Sequence, residues 1–138
     1  MINVTLSKRQ TDDFGSGYFG AGRGSRTHNG IDYACFAGST VLSPVRGVVT
    51  ILGYPYADDF DYRYVQVTDN DGLRHRIFYC LPSCSVGDVV CKGDGIGEAQ
   101  DISARYDTED KKMNNHIHYE ILDSTNSYLN PEDITHGT

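Results

Sequence analysis

The sequence predicts an all-β, antiparallel domain, and three observations carry that prediction. Glycine and tyrosine are abundant, with 15 Gly and 10 Tyr in 138 residues, which suits short strands and tight turns better than long helices. Apolar residues recur in short runs bounded by turn formers, and no stretch sustains a helical period. The segment Asn115 to Glu120 alternates strictly, with Ile117 and Tyr119 on one side and His116, His118 and Glu120 on the other. The length fits one domain spanning residues 1–138, with a modest core.

The elements follow in order. Ile2, Val4 and Leu6 alternate and predict a short edge strand. Asp12 to Arg26, rich in Gly, Ser and aromatics, is a loop by composition; it lacks the G-x-x-x-x-G-K-S/T pattern of a phosphate loop. Ala37 to Thr40 is a turn, Val41 to Val45 follows it, and Val48 to Leu52 is a strand. Tyr54 to Arg63 is a polar, aromatic and acidic loop. Tyr64–Thr68 and Leu73–Leu81 are strands joined by the hairpin turn Asp69-Asn70-Asp71-Gly72. The turn's aspartates lack EF-hand spacing, so it reads as a turn and not a calcium loop. Val86–Val90 and Lys92–Gly97 are two short strands around a turn, and Glu98–Asn114 is a polar loop. The histidine strand comes next, and Leu129-Asn130-Pro131 closes the chain.

Charge and composition remove several function classes. Twelve Lys and Arg against 19 Asp and Glu leave a net charge of −7, which disfavours nucleic-acid binding. No run approaches the roughly 18 to 20 apolar residues of a membrane span. No charged start followed by an apolar stretch marks a secretory leader. The cysteines are Cys35, Cys80, Cys84 and Cys91, an even number that permits two disulfides in three pairings. Their spacing lacks a fourth partner at zinc-finger distance.

The chemistry lies in the histidines. A catalytic zinc site takes about three protein ligands of N or O type and keeps one position open. His118 supplies one. His28 and Asp32 supply two more, because an even step along extended chain keeps both on one face. Gly30 between them leaves room for close backbone approach. Zinc in such a site polarises a carbonyl and lowers the pKa of water from about 16 towards about 7. His116, beside His118 on one face, is placed as a general base or as a donor to the developing oxyanion. Glu120 continues the row as a group that orients a ligand.

In their order, these segments resemble the lysostaphin/LytM-type zinc endopeptidases, which cleave peptide bonds in bacterial peptidoglycan. The resemblance covers roughly Phe19 to Pro131. It runs through His28-Asn29-Gly30-Ile31-Asp32-Tyr33-Ala34, the turn Ala37-Gly38-Ser39-Thr40-Val41, and Val45-Arg46-Gly47-Val48-Val49. It continues through Val86 to Val90 and Lys92 to Gly97, and ends in His116-Ile117-His118-Tyr119-Glu120 and Asn130-Pro131. It implies a small antiparallel β-sandwich with zinc in a long groove. By motif position it implies His28, Asp32 and His118 as zinc ligands and His116 as one of two catalytic histidines, in agreement with the reading of the residues alone.

Two departures matter. The family's other catalytic histidine usually stands in a Tyr-x-His-Leu pattern, and the matching segment here is Phe78-Tyr79-Cys80-Leu81-Pro82-Ser83, so Cys80 takes its place. Cys80 then reads as a neutral replacement, a fourth zinc ligand that closes the shell, a disulfide partner of Cys84 or Cys91, or a thiolate paired with His116. A buried, inert thiol is the bland reading. His75 is five residues from Cys80, an odd step that points it to the opposite face unless a bulge intervenes. The second departure is Glu98–Asn115, longer and more charged than the family's usual link, which bears on peptide specificity. Tyr18, Tyr54 and Tyr56 are candidate groove aromatics.

The resemblance therefore implies a zinc-dependent endopeptidase acting at the bacterial cell wall on stem or cross-bridge peptides. The compact chain suits a bacteriophage lysis or tail protein. The rivals are a catalytically degenerate, zinc-holding domain that binds peptidoglycan or a partner, and a structural virion component with a closed site of His28, Asp32, Cys80 and His118.

Overall fold

The computed structural model describes residues 7–8, 22–23, 26–27, 30–106 and 115–131. The strand expected at residues 2–6 lies outside them. The described strands are β1 (Ser7–Lys8), β2 (Gly22–Arg23), β3 (Arg26–Thr27), β4 (Ile31–Ala34), β5 (Thr40–Leu42), β6 (Gly47–Gly53) and β7 (Tyr64–Asp69). Next come β8 (Arg74–Phe78), β9 (Cys80–Pro82), β10 (Val89–Val90) and β11 (Gly95–Ala99). A single helical turn, α1 (Ser103–Tyr106), precedes β12 (His116–Leu122) and β13 (Tyr128–Leu129).

Every described pairing is antiparallel. The larger sheet runs β1-β4-β12-β8-β7-β6-β10, with β13 also on β12; a second sheet runs β5-β11-β9, and β2 pairs with β3. The core lies between the first two sheets. Ile117, Tyr119 and Ile121 of β12, Ile77 of β8, Val65 and Val67 of β7 and Val49 of β6 meet Val41, Ile96, Ala99 and Cys80 from the smaller sheet. Each such aliphatic side chain stabilises the fold by about 1.5–3 kcal/mol on burial. The alternation of β12 is what places its histidines on the face away from this core.

The β7–β8 hairpin closes on its own side-chain and backbone bonds. Asp69 Oδ1 accepts the backbone N–H groups of Asp71 (2.9 Å) and Leu73 (3.0 Å), and Gly72 supplies the left-handed residue at φ +82°.

The expected strand Leu73–Leu81 is two strands. Tyr79 adopts φ 65°, and the Arg63 carbonyl accepts both the Tyr79 N–H (2.8 Å) and the Cys80 N–H (3.1 Å). The chain thereby passes from β8 in the larger sheet to β9 in the smaller one. Regular alternation would put Phe78 and Cys80 on one face and His75 on the other. The left-handed residue inverts the phase, so His75 and Cys80 are both fully buried. The expected loop Glu98–Asn114 is also shorter, since Glu98 and Ala99 complete β11 and Ser103–Tyr106 form α1.

Candidate active site

Strands β4 and β12 build the centre. Their register sets Asp32 directly opposite His118. Asp32 Oδ1 lies 2.8 Å from His118 Nδ1, and Asp32 Oδ2 lies 3.5 Å from His116 Nε2. On the other side of the ring, His118 Nε2 is 3.0 Å from Glu120 Oε1. Gly30 permits this closeness: a Cβ there would collide with the Tyr119 carbonyl and press on the His118 ring. The expected row of His116, His118 and Glu120 is thus present on one face of β12, and Asp32 joins it.

Charge at the centre is organised around the imidazole. Burial alone would push His118 down, but its hydrogen bonds to Asp32 and Glu120 raise it to about 9. An imidazole gripped by carboxylates at both nitrogens is an environment built for a cation. Glu120 is itself steadied across the sheet: its Oε2 is 3.6 Å from Arg76 Nη1, and Arg76 Nε donates to Gln66 Oε1 at 2.8 Å.

A carboxylate oxygen with imidazole nitrogens is the N/O donor set of a catalytic zinc site, so Asp32 and His118 fit that metal. Among the described residues, no group of three His, Cys, Asp or Glu side chains could hold a metal ion. The third expected ligand, His28, lies outside the described residues.

The aromatic wall of the site comes from the β8–β9 junction. Phe78 stands edge-on to His118, with ring centroids 5.4 Å apart. Tyr79 stands edge-on to His116 at 5.6 Å. Behind Tyr79 are Tyr56, stacked at 6.3 Å, and Tyr62, edge-on at 6.3 Å. Arg105 covers Tyr56 at 3.9 Å and pairs with Asp59 at 2.7 Å, so the charged segment after β11 reaches this cluster. Of the candidate groove aromatics, Tyr56 joins it, Tyr54 is half exposed against Phe60, and Tyr18 lies outside the described residues.

Cys80 is not brought to this centre. Its side chain belongs to the core between the sheets and packs over Gly97, and burial pushes its thiol far above the ordinary range. All four cysteines are free thiols. Of the readings open to Cys80, its position matches the buried, inert thiol. The left-handed Tyr79 is the physical reason: it turns Cys80 inward and brings its own ring to the site.

The sequence model of Peptidase family M23 matches residues 26–131. The chain belongs to this family. Leukocyte cell-derived chemotaxin-2 of Mus musculus is 29% identical to this M23 chain, over 89% of the chain and 82% of that protein. Among solved structures, the catalytic domain of the antimicrobial peptidase lysostaphin from Staphylococcus simulans matches with a TM-score of 0.68 at 20% identity, over 95% of this chain and 92% of that one. A variant catalytic domain of the prophage-encoded M23 protein EnpA from Enterococcus faecalis also matches with a TM-score of 0.68 at 20% identity, over 100% of this chain and 96% of that one. The chain spans 44% of the longer lysostaphin chain seen in solution. The antiparallel, lysostaphin-like fold expected from the sequence is the fold observed.

Sequence reasoning missed Arg76, Gln66, Phe78 and Tyr79. The first three could have been found by pairing β8 against β7 and β12, since Arg76 falls opposite both Gln66 and Glu120, and Phe78 opposite His118. Tyr79 had no such signal.

Proposed function

We propose that this M23 chain is a zinc-dependent endopeptidase, a single peptidase domain over residues 1–138, that hydrolyses peptide bonds in the stem or cross-bridge peptides of bacterial peptidoglycan. One observation carries the reading: the Asp32 carboxylate lies against two imidazoles of the neighbouring strand, 2.8 Å from His118 and 3.5 Å from His116. Membership of Peptidase family M23 and the likeness to an antimicrobial peptidase support it.

Asp32 and His118, with His28, would hold the ion. When bound, zinc would act as a Lewis acid on the scissile carbonyl and lower the pKa of water. Glu120 keeps the His118 ring oriented, and Arg76 keeps Glu120 in place. His116, with its side chain only 4% exposed, is shielded from bulk water and aimed by Asp32, so it can take a proton from the attacking water and return one to the leaving amine. The reaction places the protein at the cell wall. EnpA, whose catalytic domain shares this fold, is prophage-encoded, which supports a bacteriophage setting.

The test is release of free amines from purified sacculi of several bridge types by zinc-loaded protein. The expected result is release that disappears in His118→Ala. A wild-type chain that holds zinc and releases nothing from any wall would sink the reading.

A second reading has its own observation. Cys80 is withdrawn into the core, and the mouse relative carries the name of a chemotaxin, not of a peptidase. These support a zinc-holding domain that binds peptidoglycan or a partner without turnover. Sacculi that retain the protein but lose no peptide bonds would favour it.

A further inference from the structure

Gln100, directly after β11, ties together the Tyr54–Arg63 loop, the β8–β9 junction and the start of β12. Its side-chain Oε1 accepts the Arg63 N–H at 2.9 Å, and its Nε2 donates to the Asp61 carbonyl at 2.6 Å. Its backbone N–H donates to the Tyr79 carbonyl at 2.8 Å, and its carbonyl accepts from the Asn115 side-chain amide at 3.1 Å. The backbone and side-chain amides are thus both engaged. The residue is half-buried, so losing one of these bonds would strand a desolvated polar group.

The bonds converge on His116 from two sides. Asn115 is its chain neighbour and is pinned in turn: Asn115 Nδ2 also donates to the Cys35 carbonyl at 3.0 Å, and Asn115 Oδ1 accepts the Ser103 N–H at 3.2 Å. On the other side, the Tyr79 ring meets His116 edge-on, at an interplanar angle of 88°. The Tyr79 backbone is left-handed at φ 65°, which an aromatic residue sustains only where its surroundings fix it. The Arg63 carbonyl does so by accepting the Tyr79 and Cys80 N–H groups. Gln100 Oε1 in turn holds Arg63. The Tyr62 hydroxyl, donating to the Asp101 carbonyl at 2.8 Å, and the Arg105–Asp59 pair fasten other parts of the loop.

We infer that Gln100 is a positioning residue for the proposed reaction: its side-chain amide locks Arg63 to the β8–β9 junction and so holds the Tyr79 ring against His116. It touches no reacting atom; it acts through Arg63 and Tyr79 on the aim of the imidazole that moves the proton. Asp32 and His118 are set instead by the β4–β12 register, so metal binding should be indifferent to it. The inference rests on the peptidase reading above.

Gln100→Leu tests it, because the backbone bonds and the side-chain bulk are kept and the amide is lost. In the zinc-loaded protein, kcat/KM for amine release should fall by about 10–100-fold, mostly in kcat, with zinc content unchanged. A second readout does not need turnover. The chain has five histidines, so their imidazole signals can be followed by NMR. Those of His116, beside the Tyr79 ring, should move in Gln100→Leu, and those of His75 should not. Ser43→Ala is the control for lost stability: it removes a buried bond, Oγ to the Val45 carbonyl at 2.7 Å, and should lower the melting temperature while leaving kcat and the His116 signals alone. Unchanged kcat with unmoved His116 signals overturns the inference and leaves the peptidase reading intact. Loss of turnover without movement of His116, movement without loss, loss of zinc, or failure of Gln100→Leu to fold overturns it too. Wild-type protein without turnover sinks the peptidase reading and the inference that rests on it, and this is told apart from failure of Gln100 alone, where the wild type still turns over.

Discussion

Among the described residues, His75 and His118 are each gripped at both ring nitrogens, and they lie on opposite faces of the same sheet. His75 faces the core, where its Nδ1 is 2.6 Å from the Tyr119 hydroxyl and its Nε2 is 2.8 Å from Asp69 Oδ2. His118 faces the open side, between Asp32 and Glu120. Burial pushes both down. One carboxylate does not reverse that for His75, which stays below its ordinary value; two carboxylates reverse it for His118. The first arrangement holds a neutral ring as a structural strut, and the second surrounds its ring with negative charge, an environment that suits a cation. The lesson is that burial and carboxylate contact do not by themselves mark a functional histidine; the number of carboxylates and the face of the sheet separate the two.

The sharpest way to break this comparison is to remove each ring in turn. His118→Ala should lose zinc and at least about 10³-fold of amine release, the several kcal/mol that a Lewis acid supplies. His75→Ala should keep one zinc per folded chain but lose about 3 kcal/mol or more of stability, since it leaves a cavity beside an unpartnered Tyr119 hydroxyl. Zinc content by elemental analysis and urea unfolding read the two effects separately. Equal zinc loss in both variants would collapse the distinction.

A smaller effect sharpens the core half. His75 is 0% exposed, and its folded-state pKa is lowered from 6.5. An imidazole depressed on folding contributes stability that is fully present above the unfolded pKa and is lost as pH falls through the folded one. Asp69 and Tyr119 are the polar groups that hold the ring. His75→Gln should therefore melt lower than the wild type at pH 7.5, by about 2 kcal/mol or roughly 8 °C. The gap should narrow towards pH 5. A gap that stays constant across that range would show that His75 does not titrate on unfolding.

Much of this contrast was legible in the sequence. The alternation from His116 to Glu120 gave the face, because it depends only on the two-residue period of extended chain, and the same reading named Asp32, which the structure sets opposite His118. The position of His75 was not legible. Counting from Cys80 put the two on opposite faces, and the count failed at Tyr79, whose left-handed backbone comes from tertiary contacts with Arg63 and Gln100 and not from any local preference of tyrosine. The reading of Leu73–Leu81 as one strand failed at the same residue. The link from Glu120 through Arg76 to Gln66 depends on the register among three strands, which the pattern within a single strand leaves open.

The smallest expected effect concerns the second carboxylate on His118. If Asp32 is committed to the ion, Glu120 is what remains to orient the ring. Glu120→Gln keeps the shape and one acceptor oxygen for the imidazole but removes the charge, and it releases Arg76 from a pair 3.6 Å long. Losses of orienting partners range over about 10–100-fold in metal affinity, and retention of the acceptor places this variant at the lower end, near tenfold. Competition with a chromogenic zinc chelator would measure it, with Arg76→Gln as the companion. If Arg76 acts only through Glu120, the two substitutions together should weaken zinc no more than Glu120→Gln alone. Additive losses would mean that Arg76 reaches the centre by another route, and an unchanged affinity in Glu120→Gln would mean that a single carboxylate suffices to set His118 apart from His75.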